Sequence, residues 1–232
     1  MGNIVVAMTG ASGAAYGTRL VEALVAAGAD VHLTISPAAQ SVIRQELDRT
    51  VELDRFDRGQ LGLDIDASPK DSKLRELRSA AGISGDSSNV LSVSSGKAGT
   101  VRYHHYRDLN SPIASGSFLT EGMVVCPCSG GTLSAIVHGT SANLIHRAAE
   151  VHLKEHRRLI LVPRETPLSV LQLENMHRAA SAGAVMLPAA PGFYHNAKTI
   201  GDLIDFVVGR ILDQLHIPNN LIPRWGARKD AE

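Results

Sequence analysis

Five short stretches carry residue types and spacings that could do chemistry. The first is Thr9-Gly10-Ala11-Ser12-Gly13, a small-residue turn between an apolar, β-branched run and a helical pattern. Such a turn presents free backbone N–H groups at the positive end of a helix dipole, which suits a phosphate, and Ser12 adds a hydroxyl donor. A tight strand–helix turn with a serine cap would look the same. The second is Cys126-Pro127-Cys128-Ser129-Gly130-Gly131-Thr132, again small and hydroxyl-bearing, where Ser129 serves equally as an anion donor or a helix cap. In the third, Arg147 and Lys154 stand seven residues apart, two helical turns, and so share a face. A solvated charged face explains that pair without function. The fourth, Arg164-Glu165, sits between Pro163 and Pro167 at the end of an apolar strand, a poor place for surface decoration. The fifth is Pro188 to Tyr194, followed by Arg210 on the last helical pattern; a buried Tyr194 with a satisfied hydroxyl is the bland alternative there.

These stretches also restrict the ligand. A dinucleotide fold calls for G-x-G-x-x-G and an acidic residue near the end of the second strand. Here the second strand ends in Ser36, whose hydroxyl suits a phosphate or ribityl oxygens. A mononucleotide is therefore favoured over NAD, with FMN the obvious candidate. The ten histidines are scattered, with no trusted metal spacing among His138, His146 and His152, and no HExxH, Walker A or G-x-S-x-G pattern occurs.

The elements that must position these residues read as an alternation of strands and helices. Asn3 to Thr9 is a buried parallel strand, followed by a helix to about Ala27 closed by Gly28. Asp30 to Ile35 is a second strand, and Ser36-Pro37 opens a helix to about Asp48. Further strands are expected at Thr100 to Tyr106, Met123 to Cys126, Arg158 to Pro163 and Ala184 to Pro188. Helices are expected at Gly131 to His138, Leu144 to Glu155, Pro167 to Ala182 and Ile200 to Leu215. This order predicts one α/β domain, Rossmann-like or flavodoxin-like, with three layers and a mostly parallel sheet over residues 1–226, then a tail at 227–232. Residues 50–100 are polar and weakly periodic; they read as a loosely packed insertion with one short helix from Ser72 to Ala81. The stretch Ile217 to Trp225 reads as an ordered arm.

Composition narrows the class. Lys plus Arg and Asp plus Glu are both 23, so no basic excess points to nucleic acid. No run approaches the ~18 apolar residues of a membrane span, and the start lacks a signal-peptide pattern. Two cysteines one residue apart, Cys126 and Cys128, read as buried reduced thiols in a reducing cytoplasm.

TGASGAAYG, CPCSGGTLSAIVHG, NLIHRAAEVHLKEHRRLILVPRETP, ENM, GAVMLPAAPGFYH and DLIDFVVGRILDQL occur in that order. Together they closely resemble the UbiX-type flavin prenyltransferases, over most of 1–48 and 110–226. The resemblance implies alkylation of reduced FMN by dimethylallyl monophosphate, at N5 and then C6, without a metal ion. It places Gly10, Ala11, Ser12, Ser36, Ser115, Ser129, Thr132 and Arg147 on the FMN. Lys154, Arg164, Tyr194 and Arg210 would grip the prenyl phosphate, with Trp225 over the site. Glu46 and Glu165 match the acidic residues beside the reacting groups, and Ser12, Glu46 and Glu165 form the implied catalytic set. The product, prenylated FMN, would pass to a UbiD-type decarboxylase in ubiquinone synthesis or aromatic-acid decarboxylation. The family's site is assembled where subunits of a dodecamer meet. The 50–100 segment departs from the family in length and polarity; a lid, an oligomer contact and a disordered insertion are all compatible with it.

Two rivals belong to other classes. An FMN-dependent peptidyl-cysteine decarboxylase wants a catalytic His in its second helix, where this chain has Glu46 and no His. A non-catalytic flavin-binding module would not need Lys154, Arg164 and Arg210 together.

Overall fold

The computed structural model describes residues 2–63, 71–83 and 98–224. Six strands, β1 (Asn3–Met8), β2 (Asp30–Ile35), β3 (Val101–Tyr103), β4 (Gly122–Cys128), β5 (Leu159–Pro163) and β6 (Val185–Met186), form one sheet. Their order is β3-β2-β1-β4-β5-β6, and every pairing is parallel. The order reverses between β1 and β4, which creates a crevice beyond their carboxyl ends.

Side-chain alternation along the strands explains the three layers. Ile4, Val6 and Met8 of β1, with Val124 of β4 and Ile160 and Val162 of β5, join the core under α1 (Ala14–Ala26) and α7 (Ile200–Gln214). Val5 and Ala7, with Met123, Val125, Leu159 and Leu161, face the other core. That second core is covered by α4 (Gly130–Val137), α5 (Leu144–Lys154) and α6 (Val170–Ser181). Strands buried on both faces need apolar residues at every position, hence the unbroken runs IVVAM and LILV. At Gly17 a Cβ would meet the Cys126 carbonyl oxygen at 2.5 Å, so α1 crosses β4 where only glycine fits.

Several boundaries move from expectation. β3 ends at Tyr103: the His104 amide makes one more bond, to Leu33 O, and the chain then turns at 105–108. α6 starts at Val170 rather than Pro167, since Ser169 caps it and closes a reciprocal pair with Gln172. β6 shrinks to two residues before Pro188.

The larger correction concerns the insertion. Its described parts are packed, not loose: Val51, Leu53, Leu61 and Leu63 are buried around two 3₁₀ turns (Leu53–Arg55 and Arg58–Leu61). The helix α3 (Ser72–Ala80) buries Leu74 and Leu77 in the α1 core. Turns of three and four residues carry no sustained period, which hid these apolar anchors in the sequence. The expected arm is also seated, with Ile217, Leu221 and Ile222 buried. Trp225 and the 227–232 tail lie outside the described residues.

A polarised chain of hydrogen bonds ties the β2–β3 edge to the start of β1. Asn3 donates its amide to Leu119 O, which leaves its oxygen to accept from His32 Nε2 at 3.2 Å. His32 Nδ1 then accepts from His104 Nε2 at 2.8 Å, and His104 Nδ1 accepts from Ser111 Oγ at 2.7 Å. Burial, reinforced by His104 and Arg102, pushes His32 down to about 4, and burial lowers His104 as well. The folded value lies below the unfolded 6.5, so the unfolded chain takes up protons first. Stability is therefore complete above pH 6.5 and is lost as pH falls towards 4, at about 1.4 kcal/mol per unit for a buried histidine. Denaturant melts at pH 7.5 and 5 are expected to show a smaller acid loss in His32→Gln than in wild type; equal losses would refute the role of this hydrogen-bond chain.

Candidate active site

The two glycine-rich turns meet at the β1–β4 switch point. Thr9 donates its hydroxyl to Pro127 O at 2.8 Å and accepts the Ser129 amide at 2.8 Å. A Cβ on Gly10 would stand 2.4 Å from Ala38 Cβ, so glycine lets the first turn press against α2 (Pro37–Leu47). Ala11 is buried beside it, and Ser12 is exposed. Ser36 caps α2 by accepting from Ala39 N at 3.1 Å. Ser129 caps α4, accepting from Thr132 N at 3.3 Å and lying 3.0 Å from Thr132 Oγ1. Ser129 thus fills the capping role that was its alternative, and Ser36 opens α2 as expected, while both keep their place at the carboxyl edge.

Glu46 has a defined task. α1 begins after Gly13, at φ +116°, with no cap from its own side chain. Glu46 reaches across from α2 to accept from Gly13 N at 2.9 Å and Ala14 N at 2.8 Å. A carboxylate there satisfies orphan amides and the positive helix end together. Burial alone would raise its pKa; hydrogen bonds from Ser12, Gly13 and Ala14, with the Arg164 charge nearby, hold it below the usual carboxylate range. Arg164 therefore stands near Glu46, and its Nε is buried with no hydrogen-bond partner. Glu165 accepts from Thr166 N at 3.3 Å and from Gln172 Nε2 at 3.2 Å. That Gln172 amide lies 3.3 Å from where a Cβ on Gly130 would stand, which places Glu165 beside the second turn. Ser12, Glu46, Arg164, Glu165, Ser129 and Thr132 thus converge on one edge.

A second group forms elsewhere. Arg147 donates to Ala114 O at 3.1 Å, fixing the 3₁₀ turn Pro112–Ala114 that precedes Ser115. Ser115 Oγ lies 2.9 Å from Ser117 Oγ. Lys154 pairs with Glu155 and stands 3.1 Å from where a Cβ on Gly116 would be. As expected, Arg147 and Lys154 serve one face, turned to the 112–118 loop. Lys154 ends α5, however, just before β5 starts, and Arg158 O accepts from Met123 N at the start of β4. Lys154 therefore belongs to the amino edge of the sheet, opposite Arg164. One copy of the chain does not unite these two cations.

Tyr194 is exposed, edge-on to Phe206 at 5.6 Å and to His195 at 6.1 Å. Arg210 lies on α7, paired with Asp213 at 2.9 Å. Asp213 also holds Arg224 at 2.7 Å, directly before Trp225. Sequence reasoning missed Arg157, which donates to Phe118 O at 2.7 Å and to Gly116 O, and His195, stacked on Phe206 with both ring nitrogens buried and without hydrogen-bond partners. The histidine directly after Tyr194 was a visible signal; the arginine had none. Among the described residues no group of three His, Cys, Asp or Glu is placed to hold a metal, and no helix is long and apolar enough to cross a membrane.

An Arg with a buried unpartnered Nε and three hydroxyl-bearing turn residues make a donor set suited to a phosphorylated flavin. The flavoprotein family model matches residues 2–212. The flavin prenyltransferase UbiX of Pseudomonas aeruginosa is 46% identical over 223 residues, covering 96% of this chain and 93% of the relative. A crystal structure of AnUbiX in complex with FMN and dimethylallyl pyrophosphate superposes with a TM-score of 0.73 at 37% identity, covering 98% of each chain. A dodecameric FMN-dependent UbiX-like decarboxylase from Escherichia coli gives 0.72 at 33% identity, covering 97% of this chain and 100% of the other. With the switch-point crevice and its hydroxyl-bearing turns in place, this chain belongs to the UbiX flavin prenyltransferases of the flavoprotein family.

Proposed function

We propose that this chain transfers the dimethylallyl group of dimethylallyl monophosphate to reduced FMN, at N5 and then C6, releasing phosphate and prenylated FMN. The observation that carries the reading is the convergence of Ser12, Glu46, Arg164 and Glu165 on the carboxyl edge beside the two glycine-rich turns. Reduced FMN, when bound, supplies the electron-rich ring to which the prenyl carbons bond. Gly10, Ala11, Ser12, Ser36, Ser129 and Thr132 would hold it, completed by Ser115 and Arg147. Breaking the allylic C–O bond leaves its electrons on the phosphate, whose charge Lys154, Arg164 and Arg210 stabilise with Tyr194 as a further donor. As N5 bonds the allylic carbon, Ser12, bonded to Glu46, relays the proton lost from N5 and Glu165 protonates the departing phosphate. Ring closure then breaks the prenyl double bond, a proton going to its inner carbon as its outer carbon bonds to C6, and Glu46 takes the proton lost from C6. By the family pattern, Trp225 would lie over the site.

Because Lys154 and Arg164 occupy opposite edges of one chain, a shared phosphate requires a second copy. Exposed Val170, Leu171 and Leu173 on α6 and exposed Phe193 and Ile200 offer apolar surface for such packing. We extend the reading to a homododecamer in the cytoplasm, supplying a UbiD-type decarboxylase in ubiquinone synthesis or aromatic-acid decarboxylation. The peptidyl-cysteine decarboxylase alternative is not favoured: α2 presents Glu46, and no His, to the α1 terminus.

Incubation with reduced FMN and dimethylallyl monophosphate without oxygen is expected to give a flavin heavier by one five-carbon unit, with dimethylallyl pyrophosphate run alongside. Unchanged flavin with a decarboxylated cysteinyl peptide would support the alternative instead.

A further inference from the structure

The insertion helix α3 is joined to the site-bearing elements by a cluster of charges. Asp205 of α7, nine-tenths or more buried, accepts from Arg19 Nε of α1 at 2.7 Å and from Lys73 Nζ of α3 at 2.8 Å. Lys73 also reaches Asp202 Oδ1 at 3.1 Å, and Arg19 reaches Asp71 at 3.2 Å and Glu22 at 3.3 Å. Asp202 is the pivot. Its other oxygen accepts from Lys198 N at 3.1 Å, Thr199 N at 3.0 Å and Thr199 Oγ1 at 2.9 Å. The backbone amide of Lys198, then Lys73 and Thr199, hold the Asp202 carboxyl far below the usual range. A single carboxylate thus joins the insertion to the end of the loop that carries Tyr194. Beside it a cleft of about 640 Å³ has three walls: Ser72, Lys73 and Glu76 of α3, the 195–198 stretch, and the 220–224 arm leading to Trp225.

We infer that Lys73 is a positioning residue: through Asp202 it clamps the 192–199 loop, and so sets Tyr194 for the prenyl phosphate. This rests on the function proposed above for Tyr194, while the clamp itself rests only on the hydrogen bonds and ion pairs of Lys73 and Asp202. The insertion then has a purpose that neither its composition nor its weak periodicity revealed. Lys73 belongs neither to the proposed flavin cradle nor to the proposed phosphate grip, so its loss is expected to act on donor binding and leave the cradle intact.

The test uses the full chain with Lys73→Met, Lys73→Gln and Lys73→Arg. In Met and Gln the KM for dimethylallyl monophosphate is expected to rise about five- to tenfold, the scale of one lost charged hydrogen bond. kcat should change less than about twofold on that account, with FMN affinity unaltered. Amide exchange at 198–204 should quicken, and Arg should restore both readings. Wild-type KM and wild-type exchange in both neutral variants would overturn the clamp, as would KM and FMN affinity failing together without rescue by Arg. The exchange reading needs no turnover, so it decides the clamp even where prenylated flavin never forms; that failure would count against the proposed function alone.

Discussion

Glutamine at position 165 is expected to slow prenylated-flavin formation by about 10²- to 10⁴-fold, the range of one lost general acid. The substitution keeps shape and one acceptor oxygen; because Thr166 N and Gln172 Nε2 bond different oxygens of Glu165, one of these two bonds survives. It also removes the proton that Glu165 is proposed to deliver to the departing phosphate. FMN binding, followed by quenching of flavin fluorescence, should stay at the wild-type value, because the proposed cradle residues lie on other elements. Single-turnover product analysis by mass is the decisive measurement. A wild-type rate would remove Glu165 from the acid–base set; a parallel loss of FMN affinity would make it a structural residue.

The second large effect is on stability. Asp205→Ala is expected to cost about 3 kcal/mol, near the lower end for breaking a buried ion pair, because it strands two cations. Arg19 keeps Glu22 and Asp71, and Lys73 keeps Asp202, which is why the upper end is not reached. Urea melts of the variant and wild type at pH 7 measure the difference. A cost under about 1 kcal/mol would mean that the cluster behaves like exposed surface pairs.

Sequence patterns were sufficient where structure is decided within a few residues. Ser36 and Ser129 were legible as polar residues opening helices, because a cap needs only the next three residues. Arg164-Glu165 stood out as a candidate site because a charge pair held between prolines at the end of an apolar strand is costly to place without a task. Glu46 was matched through the family resemblance, but its cap on α1 spans 33 positions and no local pattern announces it. The packed insertion was misread as loose because 3₁₀ turns scatter their apolar anchors without a period.

By itself the sequence determined the α/β class, the mononucleotide crevice and the hydroxyl-bearing turns, all products of short-range backbone geometry and strand patterning. Only the tertiary structure decided which of those residues share an edge. It put Arg164 beside Glu46 and sent Lys154 to the opposite edge, because a helix crossing back over a parallel sheet ends where the next strand begins. It likewise brought Lys73 to Asp205 across 132 positions. Charges that far apart in the chain meet only once the packing of α1, α3 and α7 has fixed their distance, and composition carries no record of that.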